Sequence, residues 1–294
     1  MIITIHDNHS TVSIDTMGAQ LISFQDAAGK EYIWQRDPAF WPRCSPLLFP
    51  AVGNSREGKT MFDGVWYDLP KHGFCKESDF EVAAQSESEA VFRLASNEMT
   101  RKHYPYDFVL SLAYHLKDGV LSMTYQVTNP QDTPLPYCIG AHPGFVCPME
   151  EGASFEDYEL EFEEDESTSS IVYDLENMQF DVSRHLVSLE GTRVVPLRYG
   201  LFDQDAVYFN EIRSRKVSLI HRESRKGIQV AYPGFSSVAF WTPDHKQAPF
   251  LCIEPWNGSA IRSDEDDEFL HKHDVQILGA GESRSHLLEI RILN

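Results

Sequence analysis

Apolar and polar residues alternate with a period of two along most of the chain. In "VLSLAYHL" Leu110, Leu112, Tyr114 and Leu116 fall on one face, and in "VLSMTYQV" Leu121, Met123, Tyr125 and Val127 do the same. The "KDG" step between the two runs predicts a hairpin closed by an Asp-Gly turn. Similar short runs occur at "MIITI", "TVSI", "AQLISF", "EYIW", "VWYDL", "DFEVAA" and "AVFRLA", and again at "DAVYFN", "VSLI", "IQVAY", "SVAFW" and "FLCIE". Turns rich in Asp, Asn, Gly and Pro separate them. No long segment carries the 3.6-residue period of an amphipathic helix. The pattern therefore predicts an all-β chain whose strands are buried by packing large antiparallel sheets face to face. No Gly/Ser- or Pro-rich linker and no fixed-period repeat interrupts it, so residues 1–294 read as one domain.

Composition narrows the partners. With 294 residues and 42% hydrophobic content, the chain can bury a large core. Its 45 acidic and 25 basic residues give a formal charge of −20. That charge repels phosphate backbones and anionic lipid surfaces, so neither nucleic acid nor membrane is expected as a partner. The opening "MIITIHDNHSTVSID" lacks a basic segment followed by an apolar one, and no apolar run is long enough to span a bilayer. The expectation is a soluble, cytoplasmic protein. Five widely spaced cysteines without a CxxC pair read as buried thiols, not as a disulfide framework or a thiolate zinc site. The acidic runs "EDYELEFEEDESTSS" and "SDEDDEF" read as a solvent-facing strand and a solvated loop.

Twelve histidines offer several candidates for chemistry. "HDNH" and "HKHD" lack the spacing that makes a zinc motif specific, so no metal is expected there. Three other segments stand apart. "LPKHGFCKESDF" sets His72 before a Gly-Phe step, "CIGAHPGF" sets His142 before Pro-Gly-Phe, and "FLCIEPWNG" ends an apolar strand in Glu254. Each puts a titratable group where a buried strand opens into a loop. A carboxylate behind "FLCI" is costly to bury unpaired, so it is either bonded to a cation or held as a base with a shifted pKa.

"GAHPGF", "KHGF" followed by "ESDF", "YPYDF" ahead of the long hairpin, and "IEPWNG" together resemble the aldose 1-epimerase (galactose mutarotase) family. The opening "MGAQLISFQDAAGKEYIWQ" and "SPLLFPAVG" are similar to its LacX-type bacterial branch, so the resemblance spans nearly the whole chain. It implies a galactose mutarotase-like β-supersandwich, in accord with the all-β pattern. It also implies a small-molecule sugar as substrate, His142 as general acid and Glu254 as general base, with no cofactor. His72 matches a second histidine that hydrogen-bonds the sugar. "LFDQDAVYF" offers Asp203 or Asp205 as a substrate-binding aspartate, and Asp205, which directly precedes the strand, is favoured. In "AVGNSREG" the family's arginine is displaced: Asn54 stands near its position and Arg56 follows two residues on. Trp256 offers an aromatic face for a pyranose.

Acid–base opening of a hemiacetal needs one base and one acid. No GxGxxG, Walker or GxSxG motif is present to indicate other chemistry. Two alternatives to a free-aldose mutarotase stay open. One is a hexose 6-phosphate epimerase, for which Arg56, Lys59, Arg101 and Lys102 are the candidate cations. The other is a sugar-binding or regulatory protein without turnover. A glycoside hydrolase would want two facing carboxylates, whereas these segments pair one carboxylate with histidines.

Overall fold

The alternation translates directly into strands. In the computed structural model, which describes residues 1–294, the Val109–Lys117 and Val120–Thr128 strands pair antiparallel, with Leu116 facing Leu121 and Leu110 facing Val127. Asp118 and Gly119 close the turn at φ 52° and 72°, the left-handed pair that matches hairpin twist. All eight apolar residues of the two faces are buried.

Fifteen strands form one hydrogen-bonded sheet, flanked by a three-stranded sheet of the N-terminal strands Ile2–His6, Ser10–Asp15 and Gln20–Asp26 and by two small hairpin-sized sheets. A sheet of that width curls, because strand twist accumulates across it. Here it folds back on itself. The Phe250–Asn257 and Ser283–Leu293 strands are separated by five others in the hydrogen-bonded order, yet the Asn257 amide nitrogen meets His286 Nδ1 at 2.9 Å. His286 Nε2 also meets the Tyr137 hydroxyl at 2.9 Å. The faces brought together enclose a core of 80 buried residues. The fold is all-β, as the alternation predicts, and its only helices are short 3-10 turns. No helix is long and apolar enough to cross a membrane. All five cysteines are free and buried.

Four segments depart from the sequence expectations. "EYIW" makes only isolated bridges, Glu31 with Gln25 and Ile33 with Phe145, and the Glu31 carboxylate accepts from the backbone N–H groups of Phe24, Tyr32 and Ile33. The run "EDYELEFEEDESTSS" belongs to a long strand, Tyr158–Asp174, which pairs with Gln179–Pro196 into an arm. It is not simply solvent-facing: Leu160 and Phe162 are in the core. Glu166 is also buried, its carboxylate accepting from the backbone N–H and hydroxyl of Ser214. "SDEDDEF" is likewise tied down, with Asp267 paired to Arg56 and Glu265 accepting from the backbone of Arg262 and His273. Finally, "FLCIE" does not end at the glutamate; the strand continues through Asn257.

Candidate active site

The Phe250–Asn257 strand is buried along its whole length and carries Glu254. On one side it pairs with Ser237–Trp241, which sets Ala239 against Glu254. On the other side it meets two short strands in succession. Ile139–Ala141 sets Gly140 against Trp256, and Gly144–Val146 sets Gly144 against Cys252. The residues between them, His142 and Pro143, interrupt the ladder, as a proline without an N–H must. Continuing the register from Gly140 to Gly144 brings His142 opposite Glu254. The two side chains meet as a cross-strand pair, His142 Nε2 lying 3.1 Å from Glu254 Oε2. His142 is 7% exposed and Glu254 2%.

Burial dominates the electrostatics of the pair. It pushes the Glu254 carboxyl well above the ordinary carboxylate range, and the nearby Asp205 charge adds to this. It also pushes the His142 imidazole down to about 3, with the positive charges of Lys71 and Lys76 adding to the effect. Both shifts express the same desolvation cost of charge. Trp41 stacks on the imidazole at 5.0 Å and 25°, and Trp241 meets it edge-on at 5.8 Å and 77°. These rings fix its plane while Nδ1 is left without a hydrogen-bond partner.

His72 is held by backbone geometry. It sits at φ 63° in the Pro70–Gly73 turn, its N–H donating to the Gly53 carbonyl at 2.7 Å, while its Nδ1 accepts the Gly53 N–H at 3.1 Å. An accepting Nδ1 places the proton of the neutral ring on Nε2, leaving that N–H as a donor. Burial, first, and the charges of His142, Lys71, Lys76 and Arg43 push its pKa well below 6.5, so the ring is neutral. The turn admits no side chain at Gly73: at φ 67°, a Cβ there would lie 2.0 Å from the Phe49 carbonyl oxygen.

Around these residues lies a cavity of about 290 Å³, close to the lower end of the range usual for small ligands. It brings together most of the residues singled out from sequence: His72, His142, Glu254, Asp205, Asn54 and Trp256 all line it. Asp205 stands at φ 65° just ahead of the Val207–Phe209 strand, and burial raises its pKa. Asp203 is turned outward, 3.6 Å from His245. The Trp256 indole N–H is buried beside Glu254 without closing a hydrogen bond. Asn54 lines the wall with both ends of its amide occupied: Nδ2 donates to the Met178 carbonyl at 2.7 Å, and Oδ1 accepts the Tyr173 hydroxyl at 2.8 Å. It thereby fastens the long arm to the cavity rim.

Arg56 lies outside the cavity, contrary to the sequence expectation. Its guanidinium is consumed by Asp267 at 3.1 Å, Gln179 at 2.9 Å and the Glu265 carbonyl at 3.2 Å. Arg101, another candidate cation, pairs with Asp107 instead. The cations that do line the cavity are Arg43, Lys71 and Lys76, none of them singled out from sequence. Lys71 and Lys76 flank the "HGFC" step, which was the only available signal. Trp41, Trp241, Tyr173 and Phe180 add aromatic lining from segments with no motif of their own.

His142, Cys252 and Glu254 also form a compact donor set, their ligand atoms lying within 4.8 Å of one another. Burial and the adjacent Glu254 push the Cys252 thiol well above its ordinary value.

The model of the family described as aldose 1-epimerase matches residues 1–275. The chain is 33% identical to the chromosomal protein LacX of Lactococcus lactis subsp. lactis over the full length of both. A galactose mutarotase related enzyme from Lactobacillus acidophilus superposes with a TM-score of 0.94 at 30% identity, covering 100% of this chain and 98% of that one. A galactose mutarotase-like protein from Lactobacillus casei gives 0.90 at 28% identity, covering 99% and 100%. With its all-β, galactose mutarotase-like fold and these full-length matches, the chain belongs to the aldose 1-epimerase family.

Proposed function

We propose that this protein interconverts the α and β anomers of an aldose by general acid–base opening and closure of the pyranose ring. The observation that carries the proposal is the buried His142–Glu254 pair, 3.1 Å apart in the cavity wall. Imidazolium with carboxylate, and neutral imidazole with protonated carboxyl, contain the same number of protons and the same net charge. They differ by one proton crossing a hydrogen bond. Burial favours the second form, and that one proton transfer reaches the first, from which Glu254 takes the proton of the anomeric hydroxyl while His142 delivers its Nε2 proton to the ring oxygen, and the C1–ring oxygen bond breaks. The pair is then in its second form. The open aldehyde turns about its C1–C2 bond, and attack by the released hydroxyl on the other carbonyl face runs both transfers in reverse.

Both reacting oxygens are attached to the same carbon, so an acid and a base in direct contact can serve them together. The His72 Nε2–H is available to a ring or hydroxyl oxygen, Asp205 is an acceptor for a sugar hydroxyl, and Trp256 presents an apolar face to the pyranose. The scheme draws on neither metal nor nicotinamide.

Polarimetry of freshly dissolved α-D-glucose and α-D-galactose, with wild type and Glu254→Gln, tests the proposal. Faster approach to the equilibrium rotation, lost in the variant, is expected. If the wild type accelerates the mutarotation of no aldose, the proposal fails; saturable sugar binding without turnover would then identify a sugar-binding protein.

A further inference from the structure

One buried side chain beside the acid–base pair takes no part in the proton transfers proposed above. Cys252 stands two residues before Glu254 on the Phe250–Asn257 strand, so the two side chains leave the same face. Gly144 is opposite Cys252 in the ladder, and a Cβ there would lie 3.4 Å from Cys252 Sγ. The glycine thus leaves the sulfur free of a side chain across the ladder. One ligand atom from each of Cys252, His142 and Glu254 lies within 4.8 Å of the other two, and all three residues are buried.

These are three different donors, a thiol, an imidazole and a carboxyl. A cation of zinc's borderline softness takes such a set in a tetrahedron, with bonds of about 2.0–2.3 Å and hence ligand atoms roughly 3.3–3.8 Å apart. The His142–Glu254 contact, at 3.1 Å, is already near that spacing. The sulfur has roughly an ångström to close, within reach of a rotation about its Cα–Cβ bond. Magnesium and calcium prefer oxygen donors alone. Charge also balances. Burial raises the pKa of the thiol and the carboxyl and lowers that of the imidazole, so the uncomplexed set is neutral. A dication that displaces the thiol and carboxyl protons to solvent leaves thiolate, carboxylate, neutral imidazole and metal, again with no net charge.

We infer that Cys252 Sγ, His142 Nε2 and Glu254 form an inhibitory site for a thiophilic divalent cation such as zinc. The fourth coordination position faces the cavity, which His142 and Glu254 line, so bound metal and sugar exclude one another. Occupancy is reversible for two reasons. When Nε2 binds the metal the ring proton sits on Nδ1, which has no hydrogen-bond partner to support the ligand. Arg43, Lys71 and Lys76 in the lining also oppose entry of a dication. That occupancy inhibits rests on the acid–base reading above, because the metal takes both proton-transfer groups; the donor set itself does not depend on that reading.

The test follows anomerisation of glucose and galactose by NMR exchange spectroscopy while zinc chloride or magnesium chloride is titrated into wild type, Cys252→Ser and Cys252→Ala. Thermal melts verify that both variants are folded. Zinc is expected to slow the wild type, with activity restored by EDTA, and magnesium at the same concentrations to leave it unchanged. Loss of an outer partner of a metal ligand costs about 10–100-fold in affinity, so loss of the ligand itself should raise the zinc inhibition constant by about 100-fold or more in both variants. Without zinc their activity is expected to stay within a few-fold of wild type. Cobalt(II) supplies a readout independent of turnover: a thiolate-to-cobalt charge-transfer band in the near ultraviolet for the wild type, absent from both variants. The histidines and the other four cysteines are common to all three proteins, so adventitious binding to them cannot separate wild type from variants. Equal zinc inhibition of wild type and variants, or a cobalt band that survives the loss of Cys252, would overturn the inference. So would magnesium acting as well as zinc, or a wild type showing neither inhibition nor the band. Inactivity on every aldose would instead sink the acid–base reading, and the cobalt band would still decide whether the donor set binds metal.

Discussion

If His142 and Glu254 act as one unit sharing a transferable proton, removing both should cost no more than removing one. The perturbation is the set Glu254→Gln, His142→Asn and the double variant. Both substitutions keep hydrogen-bonding groups in the wall, where the native pair stands 3.1 Å apart and nearly fully buried. A positioned proton-transfer group contributes roughly 10²- to 10⁴-fold, equivalent to about 3–5 kcal/mol of barrier. Two groups working independently would multiply to roughly 10⁴- to 10⁸-fold in the double variant. In the shared-proton scheme a lone acid or a lone base cannot complete the ring-opening step, so each single variant already loses the full effect. The expected kcat/KM losses are therefore about 10²- to 10⁴-fold for all three proteins, with similar values within the set. NMR exchange at anomeric equilibrium reads these rates directly, and thermal melts verify that each variant is folded. A double-variant loss equal to the product of the two single losses would refute the shared proton and require two separately acting groups.

Other consequences concern the supports of the site. Gly73→Ala should destabilise the fold by about 2–5 kcal/mol, because it adds left-handed backbone strain to a collision with the Phe49 carbonyl; a urea-melt change below about 1 kcal/mol would contradict this. Arg56→Ala should lower stability by about 1 kcal/mol, given its partly exposed ion pair, and leave kcat/KM for the sugar within a few-fold. A large rise in KM would instead return Arg56 to the substrate. Glu254 has a raised pKa in the folded state, so its contribution to stability is present below the ordinary carboxylate range and is lost as pH rises through the folded value. Relative to wild type, Glu254→Gln should thus gain stability as pH increases above about 4.5, measured by urea melts across pH; a difference that is flat with pH would refute the buried-carboxylate account.

The alternation of side chains was enough to define the strand class, because period two is a property of the local backbone and needs no knowledge of partners. The long Val109–Thr128 hairpin could be read residue by residue for that reason. The Glu31 segment could not, since its own carboxylate takes the Tyr32 and Ile33 amides and only isolated bridges tie it to neighbouring strands. The arm was hidden because its polar, acidic strand gains order from pairing along its length, with burial concentrated towards its two ends.

Within the site, sequence by itself singled out His72, His142 and Glu254 as candidate chemistry-bearing groups, and all three line one cavity. Each stands as a titratable residue in an apolar, Gly- or Pro-marked setting, and their motifs occur in family order. What the tertiary structure decided is which groups meet. His142 and Glu254 are 112 positions apart in the chain, and only the pairing of two short strands on a third, broken at Pro143, sets them opposite one another. Arg56 shows the same dependence in the other direction: its partners Asp267 and Gln179 come from distant segments that claim the guanidinium before a ligand could. Lys71 and Lys76 belong to the same local segment as His72, whereas the approach of Arg43 to that turn follows from the packing of a separate segment. Residue type fixes what a side chain can do, whereas its pKa, its partner and its access to a ligand are set by burial and by contacts between segments remote in the chain.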